Sequence, residues 1–185
     1  MTPVSQELMI QCKKRDIDAF SQLVELTQPY AYRLAFRLLR SEEDADDVTQ
    51  ETFIRVWNNL ATFDHHKSFT TWLYKIVTHL CLDHLKSRSR RNRLFETPSR
   101  CGEEILPASH CPEADYDNKD LAGHIERLVH HLPLKQQAVF ILRDLNDLDI
   151  KEVGSILGMS AGAVKSKLYY ARQAIRMNLE QMERI

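Results

Sequence analysis

"DIKEVGSILGMSAGAVKSKLYYARQAIR" (149–176) is the stretch that decides how the C-terminal third folds. It opens with Asp149 and carries Glu152 three residues on. That is an Asp form of the capping box, in which two side chains satisfy each other's backbone N–H groups at a helix start. Val153, Ile156 and Leu157 then give a short amphipathic helix, and Gly158 suits the turn that ends it. Ser160 is placed to cap a second helix, where Val164, Leu168, Ala171 and Ile175 share one face. The opposite face presents Lys165, Ser166, Tyr169, Arg172, Gln173 and Arg176. Helix, glycine turn and helix with a cationic, hydrogen-bonding outer face is the pattern of a helix-turn-helix, whose second helix enters the major groove by its first residues. Small Ala161, Gly162 and Ala163 permit close approach there, and Lys165 and Ser166 are within reach of bases or phosphates. A plain helical hairpin with a solvated charged face has the same periodicity, so the pattern leaves that reading open.

The rest of the chain fits an all-helical frame. Among 185 residues only 5 are Gly and 6 Pro, 43% are apolar and 28% are charged, a composition of packed domains and not of disordered chain. No apolar run approaches the roughly 18 residues that span a bilayer, and the N-terminus carries no signal-peptide pattern, so a cytoplasmic protein is expected. The four cysteines (Cys12, Cys81, Cys101 and Cys111) form no CxxC pair and are expected to be reduced. Helical periodicity over 7–93 is followed by "LFETPSRCGEEILPASHCPEADYDN" (94–118), with three prolines and no sustained period. That reads as a flexible acidic linker, and helical patterns resume over 119–182. Two small helical domains joined by a tether are expected.

The net charge of −1 is a sum of opposed patches. "HLKSRSRRNR" (84–93) holds Lys86, Arg88, Arg90, Arg91 and Arg93 with no carboxylate, which favours contact with phosphate over an ordinary solvated face. It continues a helix beginning near Phe69 whose apolar stripe is Phe69, Leu73, Ile76, Val77 and Leu80. Trp72 reads as core or as a base-stacking platform. Tyr74 and Lys75 are expected to point away from that stripe. In the segment from Asp44 to Leu60, which opens "DADDVTQETFIRVW" (44–57), the pattern reverses: Ala45, Val48, Thr52, Phe53, Val56 and Leu60 share one face, and Asp47, Gln50, Glu51, Ile54 and Asn58 the other. Phosphate would be repelled by such a surface. One exposed isoleucine ringed by carboxylates suits docking on a basic protein partner, with a solvated face as the alternative.

Taken together these segments resemble the bacterial RNA polymerase sigma factors of the extracytoplasmic-function (ECF) group, over nearly the whole chain. "AFSQLVELTQPYAYRLAFRLLRSEEDADDVTQETFIRVWNNLATF" (19–63) with "FTTWLYKIVTHLCLDHLKSRSRR" (69–91) is similar to the family's region 2. "LPLKQQAVFILRDLNDLDIKEVGSILGMSAGAVKSKLYYARQAIR" (132–176) is similar to its region 4. The ordered pair is far more specific than either segment alone.

The resemblance implies that the acidic helix docks on the clamp helices of the polymerase β′ subunit through Asp46, Asp47, Gln50, Glu51 and Ile54, with β as a further contact. It implies that the −10 promoter element is met and melted by Phe63, Asp64, His65, His66, Lys67, Ser68, Tyr74, Lys75, His79, Lys86, Arg88, Arg90 and Arg91. The 63–68 loop would receive a base flipped from the non-template strand. Lys165, Ser166, Tyr169, Tyr170 and Arg172 match positions that face the −35 element. An anti-sigma factor, often membrane-bound in this family, is expected to hold the protein inactive; no cofactor, small-molecule substrate or catalysis is expected. Departures from the family pattern fall at His79, where Asn is frequent, at His65 and His66, where a glycine-containing loop is common, and at Gln136 and Gln137, near a frequent Arg. They leave the promoter sequence open.

Two other classes compete. A stand-alone transcription regulator that binds an operator through its C-terminal motif would need a dimer interface to match half-sites, and no spare apolar heptad stripe exists for one. An enzyme or metal protein could use His79, Cys81 and His84, or Cys101, His110 and Cys111, but no accompanying nucleophile constellation or phosphate loop supports it.

Overall fold

The computed structural model describes residues 4–64, 68–95 and 121–182. Among them every regular element is helical: α1 (Gln6–Lys13), α2 (Ile17–Leu39), α3 (Glu42–Asn59), α4 (Phe69–Phe95), α5 (Leu121–His130), α6 (Leu134–Phe140), α7 (Ile150–Leu157) and α8 (Ala161–Met182). A 3₁₀ turn (Leu60–Thr62) follows α3 and a π-helical turn (Ile141–Leu145) follows α6. The chain divides into two compact units, Met1–Leu85 with Ser155–Gly158, and Lys86–Gly154 with Met159–Ile185. The basic helix α4 runs to Phe95, two residues into the expected linker; the remainder of that linker, with Cys101, His110 and Cys111, lies outside the described residues.

In the first unit, α2 starts at Asp16, whose carboxylate accepts from the Asp18 and Ala19 N–H groups at 3.0 Å each, and ends at Arg40 in the left-handed region. It buries Leu23, Ala31, Leu34, Ala35 and Leu38 and packs along α3. α3 starts at Ser41, which accepts from the Asp44 N–H at 3.2 Å, and all six residues of its expected apolar face are buried. Thr49 and Thr52 are buried too. Each turns its hydroxyl back on the i−4 carbonyl at 2.7 Å, so neither leaves an unpaired polar atom.

α4 departs from expectation at Tyr74, which is buried at 5% exposure. Tyr74, Thr78 and Cys81 follow one another at i, i+4 and i+7 and form a second buried row beside the stripe of Phe69, Leu73, Val77 and Leu80. The helix is therefore packed over a wider arc than its aliphatic residues reveal. Burial pushes the Tyr74 phenol up from its ordinary pKa, and the charges of Arg33 and Arg37 on α2 partly oppose that. Burial likewise raises the thiols of Cys12 and Cys81, which makes them unreactive packing residues.

The second unit buries Val129, Leu132, Val139, Phe140, Leu142 and Leu148 together with the α8 stripe Val164, Leu168, Ala171 and Ile175. Gln137, near the site of a family departure, is buried and bonded through its amide to His130 at 2.7 Å. The capping box forms as expected: Asp149 accepts from the Glu152 N–H at 2.8 Å, and Glu152 accepts from the Asp149 N–H at 3.0 Å. Gly158 adopts φ 64°, and Ser160 caps α8 by accepting from the Ala163 N–H at 3.2 Å.

The two glycines that flank this turn differ in kind. A Cβ on Gly154 would lie 2.7 Å from the Met159 carbonyl oxygen, whereas one on Gly162 would meet nothing within 4 Å. Gly154→Ala is therefore expected to destabilise the fold by about 1–3 kcal/mol and to lower the melting temperature by several degrees. Gly162→Ala is expected to leave it unchanged or slightly raised, since alanine is the better helix former. Thermal melting of the full chain followed by circular dichroism reads both. Packing does not demand Gly162, so its small size is free to serve something approaching from outside.

Candidate functional site

Three exposed surfaces carry the candidate residues. On α3, the first-turn acids Glu42, Glu43 and Asp44 sit where a helix N-terminus favours negative charge, so the fold alone accounts for them. That effect fades within one turn, and Asp46, Asp47 and Glu51 lie beyond it. Asp46, Asp47 and Gln50 are exposed and Glu51 half-buried, with Ile54 at 56% exposure among them. Glu51 is held by Arg55 of its own helix at 2.8 Å, which leaves Asp46 and Asp47 as the dominant charges of the face.

Beside this face lies a largely apolar groove of about 600 Å³ between α2 and α3, lined by Ile17, Phe20, Val24, Gln28, Thr49, Gln50, Phe53, Ile54 and Trp57. The contribution of α2 is absent from the sequence reading. Its signal was available, because Ile17, Phe20 and Val24 form a second apolar row off the core face of α2, and Ile17 is left 74% exposed. Arg15, in the turn before α2 at φ 67°, fixes the far end of the groove. Its guanidinium donates to the Trp57 carbonyl at 2.7 Å and lies 4.9 Å from the centre of the Trp57 ring, against which Phe20 packs at 4.7 Å. A cation on the last carbonyls of α3 also complements the dipole there.

The second surface is the outer face of α4. Lys75, His79, Lys86 and Arg90 are exposed and fall within about 60° on a wheel of 100° per residue, with exposed Asp83 at the edge of that arc. Arg88 and Arg91 are exposed but turn to another side of the helix, so the basic run does not form one stripe. Ser68 caps α4, accepting from the Thr71 N–H at 3.3 Å, and Asp64 is exposed. His65, His66 and Lys67 lie outside the described residues.

Two residues expected at the −10 element are buried in the structure. Tyr74 belongs to the core, as described above. Phe63 is 6% exposed and packs into a cluster with Phe69 at 5.9 Å and Trp72 at 4.7 Å. Half-buried Trp72 joins it in packing.

The third surface is α8. Lys165 and Ser166 are exposed in its second turn, followed by Tyr169 at 64% and Tyr170 at 55% exposure, their rings in edge contact at 5.5 Å. Two large aromatic rings are thus left largely exposed on the solvent side of the helix. Arg172 differs from expectation: its Nε and Nη2 donate to the two oxygens of Asp144 at 2.8 and 2.7 Å. One edge of its guanidinium is thereby used within the domain. Among the described residues no group of three or more His, Cys, Asp or Glu side chains is arranged to hold a metal ion, and no helix is long and apolar enough to cross a membrane.

These features define a class: an all-helical protein that carries an acidic helix, a basic helix and a helix-turn-helix. Comparison with known proteins narrows the class. Residues 23–91 match the family described as Sigma-70 region 2, and residues 123–175 the one described as Sigma-70, region 4. The chain is 31% identical over 179 residues to the ECF RNA polymerase sigma factor SigW of Bacillus subtilis, covering 93% of this chain and 95% of that protein. It is 32% identical over 158 residues to the ECF RNA polymerase sigma factor SigE of Mycolicibacterium smegmatis, covering 85% of this chain and 60% of that protein. Its fold is shared with CnrH, solved in complex with the cytosolic domain of CnrY, at a TM-score of 0.68 and 24% identity over 94% of this chain and 96% of that one. The sigma factor RpoE of Bartonella quintana, solved with the anti-sigma factor NepR, gives 0.67 and 20% over 89% and 98%. The chain belongs to the ECF sigma factors of the sigma-70 family.

Proposed function

We propose that this protein binds core RNA polymerase through residues 7–93, reads the −35 element through residues 119–182, and melts the −10 element with α4, the 94–118 segment acting as tether. Asp46, Asp47, Gln50, Glu51 and Ile54 dock on the β′ clamp helices, where acidity selects a basic surface and keeps α3 off DNA. Lys75, His79, Lys86 and Arg90 follow the −10 strand, and Lys165, Ser166, Tyr169 and Tyr170 meet the −35 major groove. Its action is recruitment and strand separation in the cytoplasm, without catalysis of its own. An anti-sigma factor covers the polymerase-binding surfaces until a signal releases them; among proteins of the same fold, RpoE was solved with the anti-sigma factor NepR and CnrH with the cytosolic domain of CnrY.

The observation that carries this reading is the exposed acid on α3 beyond its first turn, in the same chain as an α8 whose outer face carries cations and unpacked tyrosines. Permanganate footprinting tests the melting step. Core polymerase plus this chain is expected to make thymines reactive in a short window centred about one helical turn upstream of the transcription start. Complexes that bind promoter duplex yet leave every thymine protected would contradict the role given to α4.

A further inference from the structure

Asp144 and Arg172 are 28 positions apart and joined by two parallel hydrogen bonds of 2.8 and 2.7 Å. The carboxylate is largely buried, its side chain 18% exposed, while the guanidinium is 57% exposed. Two-pronged pairing of planar groups constrains orientation as well as distance, which a single surface ion pair does not. Asp144 stands in the π-helical turn after α6, and the neighbouring polar groups of that turn are used locally: Arg143 reaches Asp147 at 3.3 Å, and Asn146 donates to the Ile141 carbonyl at 2.8 Å. Asp144 reaches across to α8.

Arg172 sits at the edge of the outer face of α8, beside Ala171, whose single methyl group is the smallest side chain of the buried stripe. A rotation of about 20° moves side-chain tips roughly 6 Å from the helix axis by about 2 Å, enough to break hydrogen bonds to base edges.

We propose that the Asp144–Arg172 pair is a strut that fixes the rotation of α8 and so aims Lys165, Ser166 and Tyr169, and that Arg172 is a positioning residue and not a reader of DNA. This rests on the proposal that α8 binds duplex DNA. The Nε and Nη2 donors are turned onto Asp144, so that edge of the guanidinium does not face outward. Strengthened by this bond, the guanidinium holds its charge above the ordinary arginine range.

The experiment uses the full chain and duplexes that the wild type enriches from a random-sequence pool, with affinity measured by fluorescence anisotropy across a salt series. Asp144→Asn and Arg172→Gln are each expected to lose about three- to tenfold in affinity with the salt slope unchanged, because a shift of about 2 Å breaks hydrogen bonds to base edges while Lys165 stays near enough to a phosphate to neutralise it. The exchanged pair, Asp144→Arg with Arg172→Asp, is expected to return to within about threefold of wild type. The strut is overturned if Arg172→Gln lowers the slope by about one while Asp144→Asn binds as well as wild type, which would make Arg172 a phosphate contact. It is also overturned if both single variants bind like wild type. If a single variant fails to fold, recovery of binding by the exchanged pair decides the question, and an exchanged pair that folds but does not bind refutes the strut. A wild type that enriches no duplex overturns the strut and the DNA-binding reading together; failure of the variants alone overturns only the strut.

Discussion

Asp47→Lys is expected to weaken binding to core polymerase about 30-fold or more while leaving affinity for −35 duplex unchanged. The size follows from placing a cation where a basic partner surface docks: attraction is lost and like-charge repulsion, worth several kcal/mol at close range, replaces it. Asp47 is exposed and lies beyond the first turn of α3, so its carboxylate contributes little to the helix dipole and the variant should fold. The defect should appear chiefly as slower association at low salt and should shrink as salt rises, because rim charges act through the encounter. Glu51→Lys is expected to have a mixed effect, since Glu51 also pairs with Arg55 at 2.8 Å. Titration of fluorescently labelled chain with core polymerase, beside anisotropy on isolated duplex, separates the two functions. Equal loss of both would remove α3 from the docking role.

Tyr169→Ala and Lys165→Ala give the opposite pattern. Each is expected to reduce −35 affinity by roughly 5- to 150-fold, the range of about 1–3 kcal/mol for a good groove contact, with core binding intact. Both side chains are exposed, and Tyr169 is 64% so, which makes a fold defect an unsuitable explanation for lost binding. The two differ in kind. Lys165→Ala should also lower the salt slope by about one, as expected when a phosphate neutraliser is removed, whereas Tyr169→Ala should leave the slope alone. A core-binding defect in either variant would contradict the assignment of α8.

Much of this was legible in the sequence because the signals were local. The capping box of Asp149 and Glu152, the left-handed Gly158 and the Ser160 cap all follow from short-range backbone chemistry, and all appear as expected. The buried face of α3 was equally clear, since its apolar residues keep strict helical spacing over four turns. The departures fall where burial or pairing lies outside the aliphatic helical spacing. Tyr74 carries a polar tip and lies one position off the aliphatic stripe, but Thr78 and Cys81 extend the buried arc to include it. Phe63 was read with its loop, whereas Phe69 and Trp72 take it into a cluster. Arg172 has the right spacing for the DNA face, and nothing in periodicity announces a partner 28 residues earlier. The groove beside α3 needed α2 as its second wall.

The central claim is that this chain turns core polymerase into a promoter-specific enzyme. Run-off transcription from a library of randomised promoters, with purified core in the presence and absence of the chain, tests it most directly. Transcripts that appear only with the chain, from templates sharing two spaced elements, are the predicted result. Core that binds the chain yet initiates on no template selectively would contradict it.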